Sequence, residues 1–356
     1  MIGAAAKPAA ALTAAIALVS LVLIALGASP VGVFAALCEG AFGNWSAIAD
    51  TLVKATPLVF AGLAVAIAFS GSLWNIGADG QLTIGALAAG AIGPWLGGVP
   101  HPIAIAIVLG AGAIGGAFWG GIAGWLRARR DVNEVISTIM LNFVAVQALS
   151  WAVHGPLMEA SGAYPASIRI AHAAQLGFYL PPSRLNFGMI VAVAIAVACA
   201  LILFRTGAGF ELRAMGQNRR AAKFFGIPIY RMTVRAMAFS GALAGIGGAV
   251  QVSAITHRLY ENYSPGWGYE AIAVALVARL NPLAVIPAAL FFGALDNGSQ
   301  AMQRAQGVSP VLVQVIQGMA ILAILAFDTP AWNELREHLI GARAELGAPE
   351  AERGDV

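Results

Sequence analysis

The side chains that could do chemistry are few, and their spacing excludes most catalytic arrangements. The chain has three lysines, Lys7, Lys54 and Lys223, followed by Pro, Ala and Phe. A P-loop needs Gly-Lys-Ser or Gly-Lys-Thr to cradle phosphates, so this chain has no means of gripping ATP in that way. The five histidines, His101, His154, His172, His257 and His338, never fall within five residues of one another. That spacing excludes a His-x-x-x-His metal helix. There is no Gly-x-Ser-x-Gly nucleophile elbow. Gly110-Ala111-Gly112-Ala113-Ile114-Gly115 fits a dinucleotide fingerprint on paper. It lies inside an apolar run, with no strand before it. Gly112, Gly116, Gly120 and Gly124 are better read as an i, i+4 stripe that lets another backbone approach closely, and Gly241 and Gly245 as a second such stripe. Cys38 and Cys199 sit in apolar surroundings and read as packing rather than a disulfide framework.

What remains is a set of polar residues embedded in apolar sequence. Asn75, Asp79 and Gln81 lie in a glycine-rich break, and Asn142, Gln147, Gln251, Gln314 and Gln317 interrupt later apolar runs. Neutral amides both donate and accept, which suits hydroxyl-rich sugars or nucleosides. Ionisable groups at membrane depth are costly and tend to mark pathways. Asn75, Asp79, Gln81, Asn142, Gln251, Tyr269 and Glu270 are therefore the expected pathway residues. A second reading stays open for each. Asp79 could cap the helix that follows it, the amides could be interhelical glue, and Trp267 and Tyr269 could be interfacial anchors.

The elements that must position these groups follow from composition. Of 356 residues, 59% are hydrophobic and only 10% charged, and the mean hydropathy is +0.80. A soluble domain carries about 25% charged residues to wet its surface. Ten spans of roughly 20 residues each would absorb about 200 residues, close to the apolar total. The expected fold is all-α: a polytopic transmembrane helical bundle of about ten spans. The first runs from Ala9 to about Leu37, too long for a signal peptide core. The others are Pro57–Leu73, Leu82–Leu96, Pro102–Leu126, Val135–Val153, Phe187–Phe204, Thr233–Ile255, a broken pair at Tyr269–Ala278 and Pro282–Leu295, and Pro310–Phe327. Thr56-Pro57, Asn281-Pro282 and Ser309-Pro310 read as N-cap and first-turn pairs. Asp131-x-x-Glu134 reads as a capping box.

With the N-terminus inside, eleven basic residues fall in inner loops against five in outer ones. This places both termini in the cytoplasm. The isoelectric point near 9.1 comes with a net charge of only +3, which fits basic loops at a membrane face and no nucleic-acid partner. Phe69-Ser70-Gly71 and Phe239-Ser240-Gly241 each precede a break and suggest an inverted repeat of five plus five spans. The chain thus divides into a first half (1–186), a second half (187–328) with an inner loop at 205–235, and a cytoplasmic tail (329–356).

The inner loop carries the most information. It reads Met215-Gly216-Gln217-Asn218-Arg219-Arg220-Ala221-Ala222-Lys223-Phe224-Phe225-Gly226-Ile227-Pro228. Asn218 can cap a short helix, Ala221 and Ala222 give it a small-residue face, Gly226 can end it left-handed, and Pro228 stops it. A short helix of this kind outside the bilayer makes sense if a partner closes over it.

The pattern Gly-x-Asn-x-x-Ala-Ala-x-x-x-Gly-Ile resembles the coupling loop of ABC importer permeases of the branched-chain amino acid/ribose class. Leu73-Trp74-Asn75-Ile76-Gly77-Ala78-Asp79-Gly80-Gln81 and Val132-Asn133-Glu134-Val135-Ile136-Ser137-Thr138-Ile139-Met140-Leu141-Asn142 are similar to stretches of nucleoside and simple-sugar permeases. So is the segment from Gly268 to Leu295. Asp79 stands where that group usually has glutamate, and Ala278 where it usually has glycine. The resemblance implies that Gly216, Asn218, Ala221, Ala222, Gly226 and Ile227 couple to a separate ATP-binding subunit. ATP and Mg would be held there, with no cofactor on this chain. It also implies a second permease chain, an extracytoplasmic substrate-binding protein, a bacterial inner-membrane location and import of nucleosides or simple sugars. The chain would then be a transport subunit and not an enzyme. Two other classes remain: an ion-coupled transporter using Asp79 or Glu270 as its proton site, and an intramembrane enzyme.

Overall fold

A computed structural model describes residues 29–307 apart from 161, 163 and 179–182, together with scattered positions in 13–24 and 311–318. The expected last span and the tail 329–356 therefore lie largely or wholly outside the described residues. Among the described residues the regular structure is helical, and strand-like pairing is limited to three isolated bridges, Met158 with Ser167, Ala166 with Tyr260 and Phe178 with Asn186. The chain divides into two compact units, 36–301 and the segments on either side. The first of these holds Asn75, Asp79, Gln81, Asn142, Gln251, Tyr269, Glu270 and the whole inner loop.

The helices are α1 (Pro30–Phe42), α2 (Trp45–Ser70), α3 (Ala78–Ile92), α4 (His101–Arg130), α5 (Glu134–His154), α6 (Gly188–Arg205), α7 (Gly207–Gln217), α8 (Arg219–Phe224), α9 (Ile229–Gln251), α10 (Trp267–Val277) and α11 (Pro282–Gln306). α9 runs on into a π-helical turn, Val252–Thr256. Among the described residues, α2, α4, α5, α6 and α9 with its extension are long and apolar enough to cross a membrane. α3 has 15 residues and α10 has 11. At about 1.5 Å per residue, neither spans a hydrocarbon core of about 30 Å. Two of the expected spans are thus partial helices that start at breaks in the chain.

Two local expectations are corrected. Pro57 does not start a helix but lies inside α2, which begins at Trp45 under the cap of Asn44, whose Oδ1 accepts from the Ala47 N–H at 2.8 Å. The upstream sequence is apolar enough to continue, and proline inside a buried membrane-type helix is tolerated. Lys54, expected in a loop, consequently lies within α2. Asp131 and Glu134 do not form a capping box. Asp131 ends α4 in the left-handed region (φ 53°), where its short side chain is tolerated, and it accepts from Arg127 at 2.7 Å. Asn133 caps α5 instead, leaving Glu134 to pair with Arg127 Nε at 3.0 Å. Asn281 does cap α11 as expected, accepting from the Leu283 N–H.

α9 is the centre of unit 36–301. A Cβ on Gly116 would strike the Gly241 carbonyl oxygen, and one on Gly241 would strike that of Gly116. The two glycine stripes read from the sequence are therefore partners, packing α4 against α9 backbone to backbone. α2 and α9 are mostly buried, whereas α4, α5 and α6 turn residues such as Ile114, Phe118, Phe143, Trp151 and Leu201 outward. An apolar outer face of this extent belongs in lipid or against another chain. The two Phe-Ser-Gly triplets stand in different places. Ser70 is the last residue of α2, while Ser240 is buried within α9 and donates to the Ala64 carbonyl at 2.6 Å.

Candidate functional site

The unwound segment between α2 and α3 holds polar side chains that bond to one another. Asn75 donates to Gln81 Oε1 at 2.9 Å and to Ser240 Oγ at 2.8 Å. Its Oδ1 accepts from Gln81 Nε2 and from the Gly77 N–H. Asn75 is 0% and Gln81 1% exposed. The Asn75 amide thus has both its donor and its acceptor satisfied at a place where an unpaired one would be strongly destabilising. This network fastens the irregular backbone to α9.

The helix that begins after the break, α3, has Gly77 at its N-cap and no side-chain cap of its own. Asn142 supplies one from α5, its Oδ1 accepting from the Gly80 N–H at 2.8 Å. The Asn142 Nδ2 donates to the Ile76 carbonyl at 2.9 Å and to Tyr269 Oη at 3.1 Å. α10 has the same deficiency: its N-cap is Gly266, at φ 107°, with no side-chain cap. There Asp79, in the first turn of α3, reaches across. Its Oδ1 accepts from Ser264 Oγ at 2.6 Å and from the Gly268 N–H at 3.0 Å. A Cβ on Gly268 would strike the Asp79 backbone, so glycine is what lets the two helix starts meet. Asp79 thus neither projects into open space nor caps its own helix. Its carboxylate lies at the junction of two helix N-termini, where the partial positive charge of both is greatest.

The structure therefore gathers Asn75, Asp79, Gln81, Asn142 and Tyr269 into one node. Gln251 and Glu270 stand apart from its hydrogen bonds. Gln251 lines a cavity of about 630 Å³ beside the node, walled by α2 with Asp50 and Lys54, by Trp267, and by α11 with Asp296 and Gln300. Lys54 Nζ is 2.8 Å from Asp296 Oδ2 across this space. Glu270 is partly buried one turn into α10.

The loop between α6 and α9 folds as its sequence predicts at the centre and departs at the edges. Asn218 Oδ1 accepts from the Arg220 and Ala221 N–H groups, Gly226 is left-handed at φ 83°, and the Ile227 N–H closes onto the Ala222 carbonyl at 3.0 Å. The chain before it also forms a helix, α7, whose Leu212 and Met215 are buried. Gly216 lies against the Ser70 carbonyl, and its own oxygen accepts from Ser72 Oγ at 2.6 Å. The loop is thus docked on the end of α2 where the break begins. Ala221 and Ala222 do not share an outward face, since Ala222 is 3% exposed and turned into its own chain. The outward surface belongs to Phe224 and Phe225, 87% and 81% exposed, stacked edge to face with ring centroids 5.8 Å apart. Sequence reasoning gave this pair no role. The signal that could have found them is their place at the end of a six-residue helix too short to bury both, with Phe224 as its last residue and Phe225 as its C-cap.

Partial helices meet end to end beside a polar cavity, within a bundle of membrane-length helices, and this is the architecture of a polytopic helical membrane protein. Residues 47–325 match the model of the family described as branched-chain amino acid transport system, permease component. The chain belongs to this family. It is 34% identical to a glucose ABC transporter permease protein of Haloferax volcanii, over 88% of this chain and 85% of the relative. It is equally identical to a guanosine ABC transporter permease protein of Bacillus subtilis, over 86% and 88%. A nucleoside ABC transporter permease protein of Lactococcus lactis is 31% identical over 86% of each chain.

Proposed function

We propose that the chain is the membrane-spanning permease subunit of an ATP-driven importer, and that its substrates are uncharged nucleosides or related simple sugars. ATP and Mg are held by a separate subunit that grips α8 from the cytoplasm. A second permease chain completes the pore, and an extracytoplasmic binding protein delivers the substrate. The protein resides in the bacterial inner membrane with both termini inside.

The observation that carries the substrate class is Asp79. Broken helices in transporters often aim their N-termini at an anionic group of the substrate. Here the chain's own carboxylate already occupies the junction of two such ends. A substrate carboxylate would meet a site whose positive charge is already neutralised. That favours the nucleoside and sugar relatives over the amino-acid description of the family. Coupling would run from α8 through α7 and Gly216 to Ser70, and from there into the unwound segment and the node.

Proteoliposomes holding this chain, its ATPase partner and its binding protein test the proposal. ATP-dependent uptake of adenosine or glucose that exceeds uptake of valine is the expected result. Serine at both Phe224 and Phe225 should lower uptake about tenfold or more, as loss of an aromatic anchor at an interface does. Uptake by the chain alone, driven by a pH gradient and indifferent to ATP, would overturn it.

A further inference from the structure

The cavity beside the node has a division of labour among its polar groups. Some are already committed. Lys54 pairs with Asp296, and Asn297 Nδ2 donates to the Gly40 and Ala47 carbonyls and to Thr51 Oγ1. These hold α11 to the α1–α2 corner and fix the shape of the wall. Others line the cavity without a side-chain hydrogen bond among the described residues: Asp50, Gln251 and Gln300. A carboxylate and two amides left over in this way offer several acceptors and donors within one space, the complement of a polyhydroxy ligand.

One lining residue is a large aromatic ring held in place. The Trp267 ring stands edge to face with Tyr263, centroids 6.3 Å apart at 86°. Tyr263 is itself buried, and its hydroxyl donates to the Gly248 carbonyl at 3.0 Å. A planar ring can therefore stack on Trp267 without the platform having to be ordered first, which is where stacking affinity is usually lost. A volume of about 630 Å³ lies in the range of small-molecule sites, roughly 300–1,000 Å³. The lining also balances in charge. Lys54 and Arg184 stand against Asp50 and Asp296, with Arg184 exposed at the rim. With Lys54 and Asp296 paired to each other, Asp50 is the charged lining group left over inside the rim, a carboxylate that can accept from ligand hydroxyls.

We infer that this cavity is a nucleoside site on the permease itself, with the base stacked on Trp267 and the ribose hydroxyls held by Asp50, Gln251 and Gln300. The inference rests on the importer reading and deepens it: the permease reads the substrate after its delivery, instead of offering a passive channel. Trp267 is also the first residue of α10, so an occupied platform bears directly on the helix end that Asp79 caps.

The test is photolabelling of the assembled transporter in nanodiscs with 8-azidoadenosine, without ATP, followed by peptide mapping. Labelling within the Pro265–Glu270 stretch or at Gln251 is expected, with protection by excess adenosine and about tenfold weaker protection by free ribose. Trp267→Phe should keep the label and Trp267→Ala should lose it about tenfold. Because binding is read without turnover, a failed label counts against the site alone, whereas failed ATP-dependent uptake counts against the importer reading. Labelling elsewhere, no labelling, or protection by ribose or valine as good as that by adenosine would overturn the inference.

Discussion

Removing the Asp79 carboxylate should cost more than any other single polar change in the node. In Asp79→Ala the Gly268 N–H is left buried without an acceptor, at about 1–3 kcal/mol. The anion between two helix N-termini is lost as well, worth up to about 2 kcal/mol in partly buried geometries. Ser264, only partly buried, can turn its hydroxyl elsewhere and adds little. The expected total is about 1–5 kcal/mol. Asp79→Asn keeps an acceptor and loses the charge, so about 1–2 kcal/mol is expected. Reversible unfolding of the full chain in bicelles, read by far-UV circular dichroism, gives the two numbers. The order Ala worse than Asn separates charge from hydrogen bonding. If both variants lie within about 0.5 kcal/mol of the parent, the range of an inconsequential surface change, Asp79 does not cap α10.

Other outcomes follow from the same physics. Gly116→Val puts side-chain atoms where the Gly241 carbonyl already sits. Because that obstacle is backbone, α4 and α9 must separate, and the variant should insert but yield no folded protein in size-exclusion chromatography, whereas Gly110→Ala, where an added Cβ meets open space, should behave as the parent. His257 follows the α9 span, and burial, with the nearby Arg169, pushes its pKa below the ordinary histidine value. A depressed histidine pKa means the unfolded chain binds the proton more readily, so stability is full above about pH 6.5 and falls as the pH drops below it. His257→Asn, which tolerates the left-handed backbone there (φ 54°), should flatten that loss in melts between about pH 7 and pH 5.

Much of this organisation is written locally, and what is not depends on distant partners. The glycines of α4 recur every four residues, so the close-packed face could be read without knowing that Gly241 and Gly245 would meet it. The short α8 was legible because its cap, its left-handed glycine and its stopping proline all lie within a dozen residues. The partners of Asp79 lie 185 and 189 positions away. No local pattern announces them, and the nearest local alternative, a cap for its own helix, was misplaced. Pro57 misled for a related reason: a Thr-Pro pair looks the same at a helix start and inside one, and Asn44 and the apolar run after it decide between them. The exposed pair Phe224–Phe225 inverts the usual rule that phenylalanine goes inside, and for that reason no local pattern points to it.

The proposed importer requires α8 to be the point at which a separate ATPase grips the permease. A cysteine in place of Phe224, with Cys38→Ser and Cys199→Ala removing the native thiols, can be probed in intact and inverted membrane vesicles. A membrane-impermeant maleimide should reach it only from the cytoplasmic side. A bifunctional reagent should join it to the ATPase subunit in the assembled transporter. Labelling from the outer side, or full ATP-dependent transport with no cross-link to the ATPase, would show that the grip lies elsewhere.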